Sequence, residues 1–296
     1  MIMKKITVFT PTYNRAHTLT RLYTSLCHQK NKDFIWLVVD DGSTDGTEEL
    51  IKKFQSESLL EIRYFYKKNE GLCSGYNTAI EKADTELMIC IDSDDYASEN
   101  MIDIILDEWN KYKDDKNCTG LVGLNCTPQN EVLGGERLET GREYNDLVFR
   151  KGQIDRKFVV RTEYYKKVAP WPIIEGEKAM NPNFMNMELC RRGYRFREVD
   201  KILCVVDYQE YGMSHSVWNA YYNSAKSFAM MRKYNLDYGI MPFSRKIVLL
   251  IHYNSSIILS KNFIRGLKES KFKILTLLTA PAGWMLSQIV KLKNKI

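Results

Sequence analysis

The sequence predicts an α/β fold: a Rossmann-like, mostly parallel central sheet flanked by helices, with a helical extension at the carboxyl end. Three observations predict it. Between about residues 5 and 95, short apolar runs alternate with helix-period segments, the pattern of strands joined by crossover helices. Three of those runs end in polar, turn-forming segments: Thr10-Pro11-Thr12-Tyr13-Asn14-Arg15, Asp40-Asp41-Gly42-Ser43 and Asp92-Ser93-Asp94-Asp95. From Ser244 onward, apolar residues are interleaved with Lys and Arg, without strand signals.

Taken in order, Ile6 to Phe9 reads as the first strand. It is expected to stop at Thr10-Pro11, because proline has no N–H to give a ladder. Leu19, Leu22, Tyr23 and Leu26 follow at helical spacing. Phe34 to Val39 is apolar throughout, as a strand covered on both faces must be. A helix from near Thr44 carries Leu50, Ile51 and Phe54. Ile62 to Tyr66 is a strand, Leu72 to Lys82 a helix, and Leu87 to Ile91 a strand. Ser98 reads as the cap of a helix that buries Met101, Ile105, Trp109 and Tyr112. Gly120 to Cys126 reads as a strand, residues 127–152 as a loop with short elements, and Phe158 to Val160 as a strand. Residues 169–187 hold three of the seven Pro and little periodicity, which suits an active-site loop. Val217 to Tyr234 reads as one helix.

The 296 residues are 44% apolar and 27% charged, the balance of a globular protein. Seven scattered Cys with no Cys-x-x-Cys pair exclude a zinc knuckle and a disulfide framework, and read as reduced thiols. Met1 to Lys5 leads straight into a strand with no apolar leader, so a cytoplasmic location is expected. The charge is uneven. Residues 244–296 carry ten Lys and Arg against one acid, Glu269, a net of +9, which leaves the rest of the chain at −3 within the total of +6.

In a parallel sheet, ligands bind beyond the carboxyl ends of the strands, so the three polar segments are expected along one edge. Asp92 and Asp94, two residues apart behind a buried strand, repel each other unless a cation lies between them. Mg²⁺ or Mn²⁺ takes oxygen ligands and bridges carboxylates to a diphosphate; the plain alternative is a solvated acidic turn. Asp40 and Asp41 are placed to read a base or ribose, or to form an ordinary Asp-Gly turn. Asn69-Glu70-Gly71 and Gly75-Tyr76-Asn77 bring backbone amides to a helix start, where anions are favoured, and Lys67 and Lys68 add positive charge. No Gly-Lys-Ser/Thr loop and no Gly-x-Gly-x-x-Gly occurs, which disfavours kinases, P-loop enzymes and dinucleotide oxidoreductases.

Together these segments resemble the inverting glycosyltransferases of family 2, with the GT-A fold, of the bacterial surface-polysaccharide type. The motifs are Thr10 to Arg15, Val38-Val39-Asp40-Asp41-Gly42-Ser43-Thr44-Asp45, Asn69-Glu70-Gly71 through Asn77, and Ile91-Asp92-Ser93-Asp94-Asp95. The resemblance is clear over about residues 4–115 and weaker from Phe158 to Ser214. It implies that Thr10, Pro11 and Tyr13, with Thr12 and Arg15 beside them, line the nucleotide and that Asp41 holds the base, with Asp40 adjacent. Lys68, Asn69, Gly71 and Asn77 would complete the donor site. Asp92, with Ser93, would meet the ribose or the phosphate, and Asp94 the metal, Mn²⁺ or Mg²⁺. The donor would be a nucleotide sugar, most often a UDP-sugar. Inversion requires a carboxylate to take the acceptor hydroxyl's proton. Pro172 to Lys178 resembles a branch in which Glu-Gly-Glu-Lys is followed by Pro-Glu. Here the later pair is Pro182-Asn183, and Asn cannot serve as that base. Glu177 is ranked first for the role, Glu175 second and Glu188 third. Tyr208 to Ser214 stands where relatives close the site, and His215 is a possible metal ligand. The absence of Gln-x-x-Arg-Trp predicts transfer of one sugar per acceptor.

The expected organisation is a catalytic domain, 1–235, with a nucleotide half (1–115) and an acceptor half (116–235). A basic, apolar helical tail, 236–296, would rest on the inner face of the cell membrane, where a saccharide or lipid-linked acceptor would be met. Pro281 and Gly283 interrupt its apolar run from Ile274 to Val290. Nucleic-acid binding is disfavoured by the interleaved apolar residues. Two other readings stand beside this one, a nucleotidyltransferase and a degenerate transferase that only binds the donor.

Overall fold

The structure, a computed structural model, describes residues 4–150, 155–179, 183–207 and 217–294. Four parallel strands form its first half: β1 (Ile6–Thr12), β2 (Phe34–Asp40), β3 (Ile62–Tyr66) and β4 (Leu87–Cys90). The second half adds β5 (Tyr96–Ala97), β6 (Cys118–Cys126), β7 (Glu143–Tyr144), β8 (Arg156–Arg161) and β9 (Arg195–Val205). The sheet order is β3-β2-β1-β4-β8-β6-β9-β5, with β7 on β9. Strand β8 runs antiparallel to both β4 and β6, so the sheet is mixed beyond β4. Order reverses at β1, whose neighbours β2 and β4 come later in the chain on opposite sides. Such a reversal opens a crevice at the strand ends.

Each crossover helix is held by its apolar stripe. In α1 (Ala16–Cys27), Leu19, Leu22, Tyr23 and Leu26 are all buried. Tyr23 stacks on Phe54 of α2 (Thr47–Glu57) at 3.9 Å between ring centroids. Both pack on Trp36 of β2, whose seven residues are all buried. Full burial of each such side chain stabilises by about 2 kcal/mol. Helix α3 (Leu72–Lys82) covers the other face through Cys73, Tyr76, Ala79 and Ile80, joined there by α5 (Thr162–Val168) and α6 (Phe184–Arg191).

Several boundaries differ from those the sequence predicts. Strand β1 continues through Pro11, which pairs with Val39. Phe9 bonds towards β4, accepting the Ile91 N–H at 2.9 Å, so Pro11, two residues on, faces the same side; β4 has ended there and no donor is needed. Helix α4 (Met101–Trp109) starts after Asn100 and stops before Tyr112; the Ser98 hydroxyl donates to the Ile202 carbonyl at 2.7 Å rather than capping it. The stretch read as one helix is α7 (Val217–Asn223) and α8 (Ala225–Tyr238), parted at Ser224. Three further helices follow: α9 (Phe243–Leu259), α10 (Phe263–Glu269) and α11 (Lys273–Lys293), the last running unbroken through Pro281. All seven Cys are free thiols.

Candidate active site

The carboxyl ends of β1, β2 and β4 bring the three polar segments together. Asn14, in the left-handed region at φ 52°, ties the first two: its Oδ1 accepts the Thr44 N–H and its own N–H donates to Ser43 Oγ, both at 2.8 Å. Asp45 reaches across to accept the Ala16 N–H at 3.0 Å, capping α1 from a distant loop. The third segment is tied to α1 by Arg21, which stacks over Tyr96, donates to the Asp94 carbonyl and pairs with Asp207.

Several residues expected to meet the nucleotide are engaged within the fold. Asp40 is fully buried; its oxygens accept the Ser43 N–H at 2.8 Å and the Tyr64 hydroxyl at 2.7 Å. Asp41 accepts the Glu70 and Gly71 N–H groups at 2.9 and 2.7 Å and pairs with Lys67 at 3.0 Å. It thus holds the loop entering α3. Thr10 is buried and accepts Trp36 Nε1–H at 3.0 Å. Asn77 clamps Trp171, donating to its carbonyl and accepting its N–H. Arg15 immediately precedes α1, and Pro11 lies under Gly75.

Others face the crevice with capacity to spare. Tyr13 is 50% exposed just past β1, and Lys68 is exposed in the loop after β3. Thr12 Oγ1 and Asn69 Oδ1 are buried with no hydrogen-bond partner among the described residues. Gly71, at φ 92°, meets the loop after α5: a Cβ there would lie 2.8 Å from Lys178 Cα and O. Only glycine allows that approach.

Ser93 is buried, and Asp92 and Asp94 are half-buried at the end of β4. Burial, then the Asp92 charge, pushes Asp94 above the usual carboxylate range. Burial, only partly offset by Lys157, raises Asp95 to about 7. Lys157, at the start of β8, is also buried; that works against its charge, but Cys204, Asp92, Asp95 and Asp155 hold the ammonium protonated. Its nitrogen lies 3.8 Å from Asp95. Three carboxylates, Asp92, Asp95 and Asp155, therefore converge on one buried lysine, and Asp94 lies beside Asp92 with Arg15 and Arg21 at the margin. This deficit of positive charge fits a divalent cation at Asp92 and Asp94. The described residues hold no group of three or more His, Cys, Asp or Glu that would bind a metal unaided, so a phosphate-bearing ligand would have to complete the shell.

A cavity of about 80 Å³ opens here, lined by Phe9, Tyr76, Cys90, Asp92, Asp155, Lys157, Tyr165 and Asn183 among others. Its two carboxylates are Asp92 and Asp155. None of the three glutamates lines it. Glu177 accepts the Lys226 and Ser227 N–H groups at 3.0 and 2.6 Å, and so caps α8 and causes the break at Ser224. Glu175 is exposed. Glu188 is held by Arg191, Arg192 and Tyr234, which draw its carboxyl down to about 2. A carboxylate so satisfied is a poor proton acceptor. His215 and Tyr208 to Ser214 lie outside the described residues. Asp155, Lys157 and Arg21 were missed in the sequence. The only signal was a pair of basic residues opening an otherwise apolar strand. A larger cavity, about 370 Å³, lies at the opposite edge between Lys4, Lys32 and Leu59, away from the strand ends.

With this geometry in view, the comparisons with known proteins are decisive. The family model described as glycosyl transferase family 2 matches residues 7–164, more than half of the chain. The chain belongs to glycosyl transferase family 2. An uncharacterized glycosyltransferase of Rickettsia bellii is 35% identical over 102 residues, 34% of this chain and 14% of that protein. TarS of Staphylococcus aureus, a poly(ribitol-phosphate) β-N-acetylglucosaminyltransferase, is 32% identical over 102 residues, 34% of this chain and 18% of TarS. The matches thus span under a fifth of either relative. The structure of TarS residues 1–349 in complex with UDP-GlcNAc shares the fold, with TM-score 0.61 and 19% identity, covering 93% of this chain and 79% of that one. So does the mannosyltransferase PcManGT of Pyrobaculum calidifontis, in complex with GDP-Man and Mn²⁺, with TM-score 0.58, 15% identity and coverage of 98% and 83%. The GT-A-type fold and the family expected from the motifs are both found.

Proposed function

We propose that this family 2 member transfers a sugar from a nucleotide-sugar donor, a UDP-sugar, to a hydroxyl of a saccharide or lipid-linked saccharide, with inversion, in cell-surface polysaccharide synthesis. The observation that carries the reading is the gathering of Asp92, Asp94 and Asp155 around Asp95 at the β1–β4 reversal, with Gly71 closing the donor loop onto Lys178. The fold shared with TarS bound to UDP-GlcNAc supports the donor class.

The uracil and ribose of the donor lie over the ends of β1 and β2, against the Tyr13 ring, with Thr12 and Asn69 offering the unpartnered polar atoms. Asp92 and Asp94 would hold Mn²⁺ or Mg²⁺; the Mn²⁺ complex of PcManGT supports this. When bound, the cation offsets charge on the departing diphosphate. Lys157 steadies the carboxylates around it. Asn183 is a neutral residue in the same cavity, so the acceptor proton goes to the carboxylate opposite Asp92, which is Asp155. Glu177 holds the loop over the site, and Glu175 is second in line as base. Residues 236–296 pack on α8 through the apolar cluster of Leu236, Leu250, Tyr253 and Ile257, and rest on the cytoplasmic face of the membrane.

The test compares Asp155→Asn with Glu177→Gln for transfer from UDP-GlcNAc and other nucleotide sugars. Asp155→Asn should lower kcat by about 100-fold or more with donor affinity kept. Glu177→Gln should lose stability and retain more of its kcat. A Glu177→Gln enzyme that folds normally and is dead, beside an active Asp155→Asn enzyme, would reverse the assignment.

A further inference from the structure

Helix α11 is packed inside out. Its inward side is made of small residues, most of them polar or without a side chain: Thr276, Ser287 and Val290 are fully buried, and Gly283 is buried among them. Helix α9 answers with Asn254 and Ser255, also fully buried. Asn254 Nδ2 donates to the Thr276 carbonyl at 2.8 Å and to Thr279 Oγ1 at 2.9 Å. A Cβ on Gly283 would lie 2.3 Å from Asn254 Cβ, so the two backbones are in contact. The outward side is apolar: Ile274, Leu277, Leu278, Trp284, Met285 and Leu292 are 56–77% exposed. At about 100° per residue these six fall in a stripe roughly 120° wide, opposite Thr276 and Gly283. Small residues in close contact, interhelical hydrogen bonds and an apolar exterior form the arrangement of helices packed in lipid rather than in water.

The charges favour one occupant of that stripe. Lys268 and Lys273 are exposed about its start, Lys291 and Lys293 at its end, and the one acid of residues 244–296, Glu269, is paired with Arg265 at 2.7 Å. A second copy would bring like charges together; an anionic bilayer complements them. No helix among the described residues is long and apolar enough to cross a membrane. The remaining geometry is a helix lying in the membrane plane.

We propose that α11 is a membrane seat, its stripe sunk into the headgroup–acyl boundary and its lysines on anionic lipid phosphates. This deepens the membrane part of the proposed function by naming the face. Helix α11 also packs on α7, and α9 on α8, whose first turn holds Glu177. The seat is therefore joined to the loop over the active site, and sets that site's height above the bilayer.

Flotation of the full chain with phosphatidylcholine vesicles, with and without phosphatidylglycerol, tests this. The chain should float with the mixed vesicles. Leu278→Glu and Trp284→Glu should each lower the bound fraction by about 10-fold without changing the melting midpoint, since both side chains are already in solvent. Lys291→Glu with Lys293→Glu should erase the preference for the anionic lipid. The proposal is overturned if the wild type stays unbound in both mixtures, if the two glutamate variants float like it, or if they instead dissociate a lipid-free dimer. The UDP-sugar-induced thermal shift, measured alongside, reports on the transferase reading independently of flotation.

Discussion

Glu188 shows how a carboxylate of a plausible motif can be spent on structure. The segment Met187 to Arg192 reads as helical, and three residues ahead of Glu188 stand the first of two arginines that lower its affinity for a proton. Because the folded value lies below the ordinary one, its contribution is present above about pH 4.5 and is lost as pH falls towards 2. Glu188→Gln should therefore cost about 1 to 2 kcal/mol at pH 7, and denaturant titrations should show the gap closing at low pH. A gap independent of pH would mean the arginines are not its source. Asp155 is the opposite case. Nothing in its local sequence distinguishes it; only the antiparallel return of β8 beside β4 sets it across from Asp92.

Gly71 is the contact at which a loop after β3 meets a loop after α5, and Glu177 ties that second loop to the start of α8. Gly71→Ala would put a methyl 2.8 Å from Lys178 backbone atoms at a φ of 92°. We expect a loss of about 1 to 3 kcal/mol and a raised KM for the donor, read by thermal melts and initial rates. An unchanged KM would show that the two loops do not form one wall. Local patterns reveal α3 to the residue, because its apolar positions and its Gly71 entry agree. They mislead at Pro11 and Pro281. The first needs no donor because β4 has ended, and the second lies on the outward stripe of a helix whose other face is locked to α9. The split between α7 and α8 depends on Glu177, forty-nine residues away from Lys226, and periodicity within the helix cannot reveal it.

The nucleotide half was legible because parallel strands buried on both faces leave long apolar runs that end in polar turns. The acceptor half was less so. Strand β9 carries Arg195, Arg197, Glu198, Asp200 and Lys201, and its buried Glu198 is neutralised by Arg142, 2.9 Å away on a different segment. Such charges hide a strand from any apolar pattern. The tail's composition pointed to a membrane surface, whereas its polar interface with α9 is visible only once the helices are paired. All three parts meet in one claim: that an activated sugar and a cation share the crevice at Asp92 and Asp94. Calorimetric titration of UDP-GlcNAc and related nucleotide sugars, with Mn²⁺ or with EDTA, into the wild type and Asp94→Asn tests it most directly. The account predicts Mn²⁺-dependent binding of a nucleotide sugar, weakened about 10-fold or more in the variant. Equal binding with and without metal, undiminished in Asp94→Asn, would contradict it.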